Sequence, residues 1–72
     1  MSFATYLKNI EEKTGVSPSQ FEELAEQKGF TENGKIKVGI KATQVINWLK
    51  EEYDLGHGHA QAMYAYINGK RS

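Results

Sequence analysis

The 72-residue chain has the length of one domain, and a chain this short buries only about 60% of the surface that its unfolded form exposes. Nine Lys and Arg residues balance nine Asp and Glu residues, so the total charge indicates no general attraction to nucleic acid or anionic lipid. The absence of cysteine excludes disulfides and Cys-based zinc sites, and the absence of a long apolar run or a signal-peptide pattern predicts a cytoplasmic protein without a membrane segment.

Residues 2–14 are predicted to form the first helix. Its apolar residues recur at helical spacing and share one stripe: Phe3, Tyr6, Leu7 and Ile10. Ser2 is the expected N-cap, and Gly15 ends the helix because glycine readily adopts the left-handed conformation that closes a last turn.

The second helix, predicted over residues 17–28, has the clearest start in the chain. Ser17 is placed to accept a hydrogen bond from the backbone N–H of Gln20, whose side chain reaches back to the cap in a capping box. Pro18 occupies the first helical position, where its missing N–H costs nothing, and Gly29 stops the helix.

Residues 30–41 are predicted to form an extended loop. Residues 31–34 have the composition of a turn, and residues 35–41 alternate polar and apolar side chains with the period of a strand. Because no second strand is predicted elsewhere in the chain, the favoured interpretation is a loop that covers the helical core with Ile36, Val38 and Ile40. The alternative is a strand edge that pairs with its copy in a dimer.

A third helix is predicted over residues 42–53. Its apolar residues lie on one face: Ala42, Val45, Ile46, Leu49 and Tyr53. At about 100° of rotation per residue, Trp48 lies about 110° from the centre of that stripe. Trp48 is therefore expected at the flank of the helix and not in the central core.

Gly56 and Gly58 allow a tight turn into a fourth helix, predicted over residues 58–68. This helix is apolar nearly all round, which is typical of a helix that is central to the fold or partly covered by a partner. Residues 69–72 are expected to form a frayed tail. The predicted fold of the single domain, residues 1–72, is all-α: a compact bundle of about four short helices.

Two parts of the chain resemble a small bacterial helical domain family of unknown function. The residues that carry the resemblance are Lys13-Thr14-Gly15, Pro18, Phe21, Ala25, Lys28 and Gly29 in the first half, and Trp48-Leu49-Lys50 and Leu55-Gly56-His57-Gly58-His59-Ala60 in the second. Their order and approximate spacing match over nearly the whole chain. The resemblance implies a small helical fold, alone or attached to other domains, and it implies no activity.

The turn formed by Gly56, His57, Gly58 and His59 is a candidate site for phosphate or nucleic acid. Amides at a helix N-terminus attract anions, glycines let a phosphate approach the backbone, and histidines titrate near neutrality. The alternative is a helix–helix turn in which the glycines satisfy the backbone and His59 caps or packs.

Metal binding and catalysis have less support in the sequence. Two histidines spaced two residues apart point to different sides of a regular helix, and no further His or Cys cluster supplies ligands, so no metal site is predicted. The chain has no Cys nucleophile and no glycine-flanked serine, and its glutamates lie on the helix sides away from the apolar stripes. No catalytic residue, no cofactor and no enzymatic activity are therefore expected.

The favoured function is a non-catalytic interaction module that binds a protein partner or a second copy of the chain. Aromatic residues are enriched at interface hot spots, and the candidate interface consists of Trp48, Met63, Tyr64 and Tyr66. The alternative is that these side chains only close a small core. Nucleic-acid binding is not favoured, because the body of the fourth helix lacks Arg and Lys and the net charge is zero. A basic patch could still form from Lys35, Lys37, Lys41 and Lys50, with Lys70 and Arg71 nearby if the tail folds back.

Overall fold

The computed structural model describes residues 2–70, and within them the chain forms four helices and one short hairpin. In chain order the elements are α1 (Phe3–Thr14), α2 (Pro18–Gln27), β1 (Thr31–Glu32), β2 (Lys35–Ile36), α3 (Ala42–Tyr53) and α4 (His57–Ile67). The predicted all-α bundle is confirmed, and each helix boundary lies within one residue of the predicted one.

The first two helices begin at the caps that the sequence predicts. Ser2 Oγ accepts from the Thr5 N–H at 3.2 Å at the start of α1. Ser17 Oγ accepts from the Gln20 N–H at 3.3 Å, and Gln20 Oε1 accepts from the Ser17 N–H at 2.8 Å, so the capping box is complete. Gly15 closes α1 with a φ of +73°. These elements are therefore set by contacts within one turn of the chain.

The predicted extended loop contains a β-hairpin, so the expectation that this segment has no strand partner is wrong. β1 pairs antiparallel with β2 in the register Thr31 to Ile36 and Glu32 to Lys35. Asn33 and Gly34 connect the strands with φ values of +56° and +79°. Two successive positive φ values are typical of the type I′ turn, whose twist matches that of a hairpin. The missed partner is β1, whose two residues are too few to show a period and fall in the predicted turn.

Residues 36–40 cover the helical core only in part. Ile36 and Ile40 pack against the core, as predicted, but Val38 is fully exposed, with a relative accessibility of 106%. The reason is a tight turn in which the Ile40 N–H donates to the Lys37 carbonyl oxygen at 3.1 Å. This turn interrupts the extended backbone that would have placed the three apolar side chains on one face.

The fourth helix is central to the fold, since α4 packs against α1, α2 and α3. The buried residues of α4 are Ala60, Met63 and Ile67. Each of the surrounding helices supplies a fully buried side chain, as shown by Ile10, Phe21 and Leu49. Contact on three sides accounts for the apolar circumference of α4 without any partner.

Trp48 belongs to the core, which corrects its predicted place at the flank of α3. It is only 7% exposed. The rings of Phe21, Phe30 and Tyr53 lie edge-on to it, with centroid distances of 6.5, 5.6 and 5.7 Å. The prediction fails because it assumes one buried face, whereas α3 packs against α4 on one side and against residues of α2 and Phe30 on another.

The end of α4 is more regular than the predicted frayed tail. The Gly69 N–H donates to the Tyr66 carbonyl oxygen, and the Lys70 N–H donates to the Ala65 carbonyl oxygen, both at 2.9 Å. Together with the φ of +106° at Gly69, these bonds form a Schellman motif that closes the helix. Residues 71 and 72 of the predicted tail lie outside the described part of the chain.

Candidate functional site

The predicted glycine-histidine turn forms the start of α4. Gly56 is the N-cap, and no side chain of the described residues caps the helix there. His57, Gly58 and His59 are the first three helical residues, and no acidic residue is present in this first turn. The amides of this turn therefore combine with the positive end of the helix dipole without a capping oxygen from the protein.

A groove with a volume of about 430 Å³ lies beside this turn. It is lined by Asn9, Ile10, Glu12 and Lys13 from α1 and by Leu55, Gly56 and His59 from the start of α4 and its linker. Ile10 and Leu55 are buried and give the groove an apolar floor, while Glu12 and Lys13 are exposed at its edge. Residues from both parts of the chain that resemble the family pattern thus meet here.

Lys13 connects α1 to the linker that precedes α4. Its Nζ donates to the backbone carbonyl oxygen of Asp54 at 2.6 Å. Asp54 ends α3 in the left-handed conformation, with a φ of +53°. Sequence reasoning missed this contact because the two residues are 41 positions apart and a bond to a backbone carbonyl depends on no particular side chain at Asp54.

The two histidines of the turn have different surroundings. The ring of His59 is half-buried and lies edge-on to the ring of Tyr6, with a centroid distance of 4.8 Å. Tyr6 also passes close to Gly58, where an added Cβ would lie 3.8 Å from the tyrosine ring and hydroxyl. His57 is exposed. The packing of His59 agrees with the structural interpretation of this residue, and only His59 of the pair lines the groove.

Two of the four predicted interface residues are not on the surface. Trp48 and Met63 are buried in the core and are not accessible to a partner in this fold. Tyr64 and Tyr66 are half-buried and pack against the same core. Met63 is buried because α4 contacts three other helices and keeps little of its surface for a partner, and Trp48 on α3 is buried by the rings of Phe21, Phe30 and Tyr53.

A different surface is formed by residues 35–41, which we call the basic loop. Lys35, Lys37 and Lys41 are exposed there, and Val38 is the large apolar side chain that stands exposed among residues 2–70. Lys50, predicted to share a patch with these lysines, is exposed on α3. The lysines are those predicted to line a basic patch, whereas Val38, predicted to be covered, is exposed.

Among residues 2–70, Tyr53 at the end of α3 has a perturbed pKa. Burial raises the pKa of the Tyr53 hydroxyl above its usual value, the Glu52 carboxylate raises it further, and the Lys28 ammonium lowers it in part. Glu52 also accepts from Trp48 Nε1 at 2.9 Å and lies 3.3 Å from Lys28 Nζ. The ion pair between Lys28 at the end of α2 and Glu52 on α3 therefore joins the two helices beside the ring of Trp48.

Within residues 2–70, no group of three or more His, Asp or Glu side chains lies close enough to hold a metal ion. None of the helices in the same range combines the length and apolarity needed to cross a membrane.

Comparison with known proteins assigns the chain to a family. No curated protein and no solved structure matches the chain. The model of a family described as a domain of unknown function matches residues 2–69, which confirms the predicted resemblance to a family of unknown function. The chain belongs to this family, the domain of unknown function DUF4287.

Proposed function

We propose that this domain is a non-catalytic interaction module that binds a negatively charged partner through the basic loop, in the cytoplasm. The observation that carries the proposal is the position of Val38, an apolar side chain that is fully exposed between lysines. This surface replaces the predicted interface, whose Trp48 on α3 and Met63 on α4 are buried.

Val38 has no evident role in the fold. Its neighbours Ile36 and Ile40 pack against the core, but Val38 lies at the corner of a tight turn. Such corners usually carry Gly, Pro, Asn, Asp or Ser. A polar residue would serve folding and solubility equally well at this position, which supports a role in binding.

The charges of the chain are separated even though their sum is zero. The basic loop contains three lysines and no carboxylate, whereas residues 11–27 contain five glutamates and one lysine. Glu32 is opposite Lys35 in the hairpin and also lines one shallow depression with Lys37 and Val38, so this carboxylate stands beside two of the three lysines. A local positive potential attracts an anionic surface within a Debye length of about 10 Å at 0.1 M salt.

The proposal is tested by NMR titration of the labelled domain with a polyglutamate peptide and with a single-stranded oligonucleotide at low salt. We expect amide shifts that are concentrated in residues 35–41 and that diminish as salt is added. The double substitution Lys37→Gln, Lys41→Gln should reduce the shifts strongly. The matched control is Lys8→Gln, Lys50→Gln, which removes the same charge from exposed positions on α1 and α3. An equal reduction in both variants, or no shifts at all, would contradict the proposal.

The groove beside the start of α4 is a second candidate, for a small anion. Its specific support is that Gly56 at the uncapped start of α4, Lys13 and His59 line one groove, with Glu12 also at its edge. Titration with inorganic phosphate should then shift the amides of Gly56, Gly58 and His59. Lys13→Met should weaken that response, and the absence of any shift at low ionic strength would remove this candidate.

A further inference from the structure

We infer that the partner of the basic loop is a protein surface on which carboxylates surround an apolar recess, and not a nucleic acid. This inference rests on the proposed function and adds the class of the partner.

The backbone directs Val38 away from the molecule. Residues 37–40 form a turn in which the Ile40 N–H donates to the Lys37 carbonyl oxygen at 3.1 Å. Gly39, at the third position, has a φ of +94°, which a side-chain-bearing residue adopts only with strain. A positive φ at this position is typical of a type II turn, whose second residue, here Val38, stands at the corner.

The loop is held at both ends, so the corner is presented by an ordered backbone. The Ile36 N–H donates to Asn68 Oδ1 at 3.1 Å, and the Lys37 N–H donates to the Phe30 carbonyl oxygen at 3.0 Å. Ile36 and Ile40 pack against the core on either side of the turn. Binding at Val38 therefore requires little further ordering of the backbone, which lowers the entropic cost of association.

The side chains of the loop suit a protein partner better than a nucleic acid. An apolar centre with a charged edge is the usual arrangement of protein–protein interfaces. Residues 35–41 contain no aromatic ring on which a base could stack and no arginine for bidentate contacts with guanine. Lysines alone would serve a phosphate backbone, but Val38 would then gain no apolar contact.

The decisive experiment compares three probes by calorimetry or NMR titration: a peptide of alternating Glu and Leu, a peptide of Glu and Ser with equal length and charge, and a single-stranded oligonucleotide. We expect the Glu–Leu peptide to bind most tightly. Val38→Ser should weaken its binding about tenfold, because burial of the valine methyl groups is lost, and should leave the Glu–Ser peptide unaffected. Ala4→Ser, which removes an exposed apolar side chain on α1, is the matched control.

The outcomes separate this inference from the function on which it rests. Tightest binding of the oligonucleotide, equal binding of the two peptides, or no effect of Val38→Ser would overturn the inference. In each of those cases the proposed function would stand if the double substitution Lys37→Gln, Lys41→Gln still abolished binding of the probe. If none of the three probes bound, both would fail. Because Val38 is fully exposed, an unchanged melting temperature for Val38→Ser verifies that folding is not the cause of a loss.

Discussion

The backbone N–H of Ile36 donates to the side-chain oxygen of Asn68 at 3.1 Å, across 32 positions of sequence. In an antiparallel pair, neighbouring residues of a strand point their N–H groups to opposite edges. The Lys37 N–H is directed inward to Phe30, so the Ile36 N–H lies on the outer edge of β2. Because Asn68 accepts from this N–H, a second copy of the chain that paired with the edge of β2 would have to displace the Asn68 side chain.

Asn68→Ala should loosen the attachment of the hairpin to the end of α4. We expect a loss of about 0.5–1.5 kcal/mol in the free energy of unfolding, the usual net value of one hydrogen bond, and faster hydrogen exchange of the Ile36 amide. Asn68→Asp keeps an acceptor oxygen and is the control. An unchanged exchange rate at Ile36 in the alanine variant would show that the bond does not form in solution.

Ser17→Ala should destabilise the domain by about 1 kcal/mol, because it removes the oxygen that accepts from the Gln20 N–H at the start of α2. Chemical denaturation measures the difference. Ser19→Ala is the matched control, since Ser19 lies within the first turn and accepts no backbone N–H in the capping box. Equal midpoints for the two variants would mean that the cap contributes nothing to the folded state.

Trp48→Phe should cost roughly 1–3 kcal/mol, because the smaller ring leaves a void between Phe21, Phe30 and Tyr53 and cannot donate to Glu52. The fluorescence of this tryptophan, the only one in the sequence, should also be shielded from acrylamide in the folded protein. If Trp48 lay on the surface, the substitution would change the free energy of unfolding by no more than about 0.5 kcal/mol, and acrylamide would quench the fluorescence readily. Either result would contradict the structure.

Stability at high pH should depend on Tyr53. Burial and, to a smaller extent, Glu52 raise the pKa of this hydroxyl in the folded state, so its contribution is complete below the ordinary pKa of about 10 and is lost as pH rises through the folded-state pKa. Tyr53→Phe has no ionisable hydroxyl and should lose less stability than the parent on going from about pH 9 to pH 11. Tyr64→Phe retains Tyr53, so its stability should depend on pH as that of the parent does. Identical pH dependence for all three proteins would show that Tyr53 does not cause the loss of stability.

The candidate site was predictable only in part. Gly56 and Gly58 placed the turn at the start of the fourth helix, because glycine spacing and the loss of periodicity are local features. The sequence did not place Lys13 beside that turn. It also assigned Met63 to an interface, since the apolar circumference of α4 is equally consistent with a partner and with contact on three sides within the fold, and Trp48, because one apolar stripe on α3 placed it at the flank.

The sequence by itself determined where helices begin and end, because the caps at Ser2 and Ser17 and the closing glycine at Gly15 act within about one turn of backbone. Only the tertiary structure decided which side chains are buried and which are presented. The burial of Trp48 depends on residues of α2 and Phe30, and the exposure of Val38 depends on a turn anchored by contacts with distant parts of the chain. Such contacts join residues that are far apart in sequence, and a local period carries no information about them.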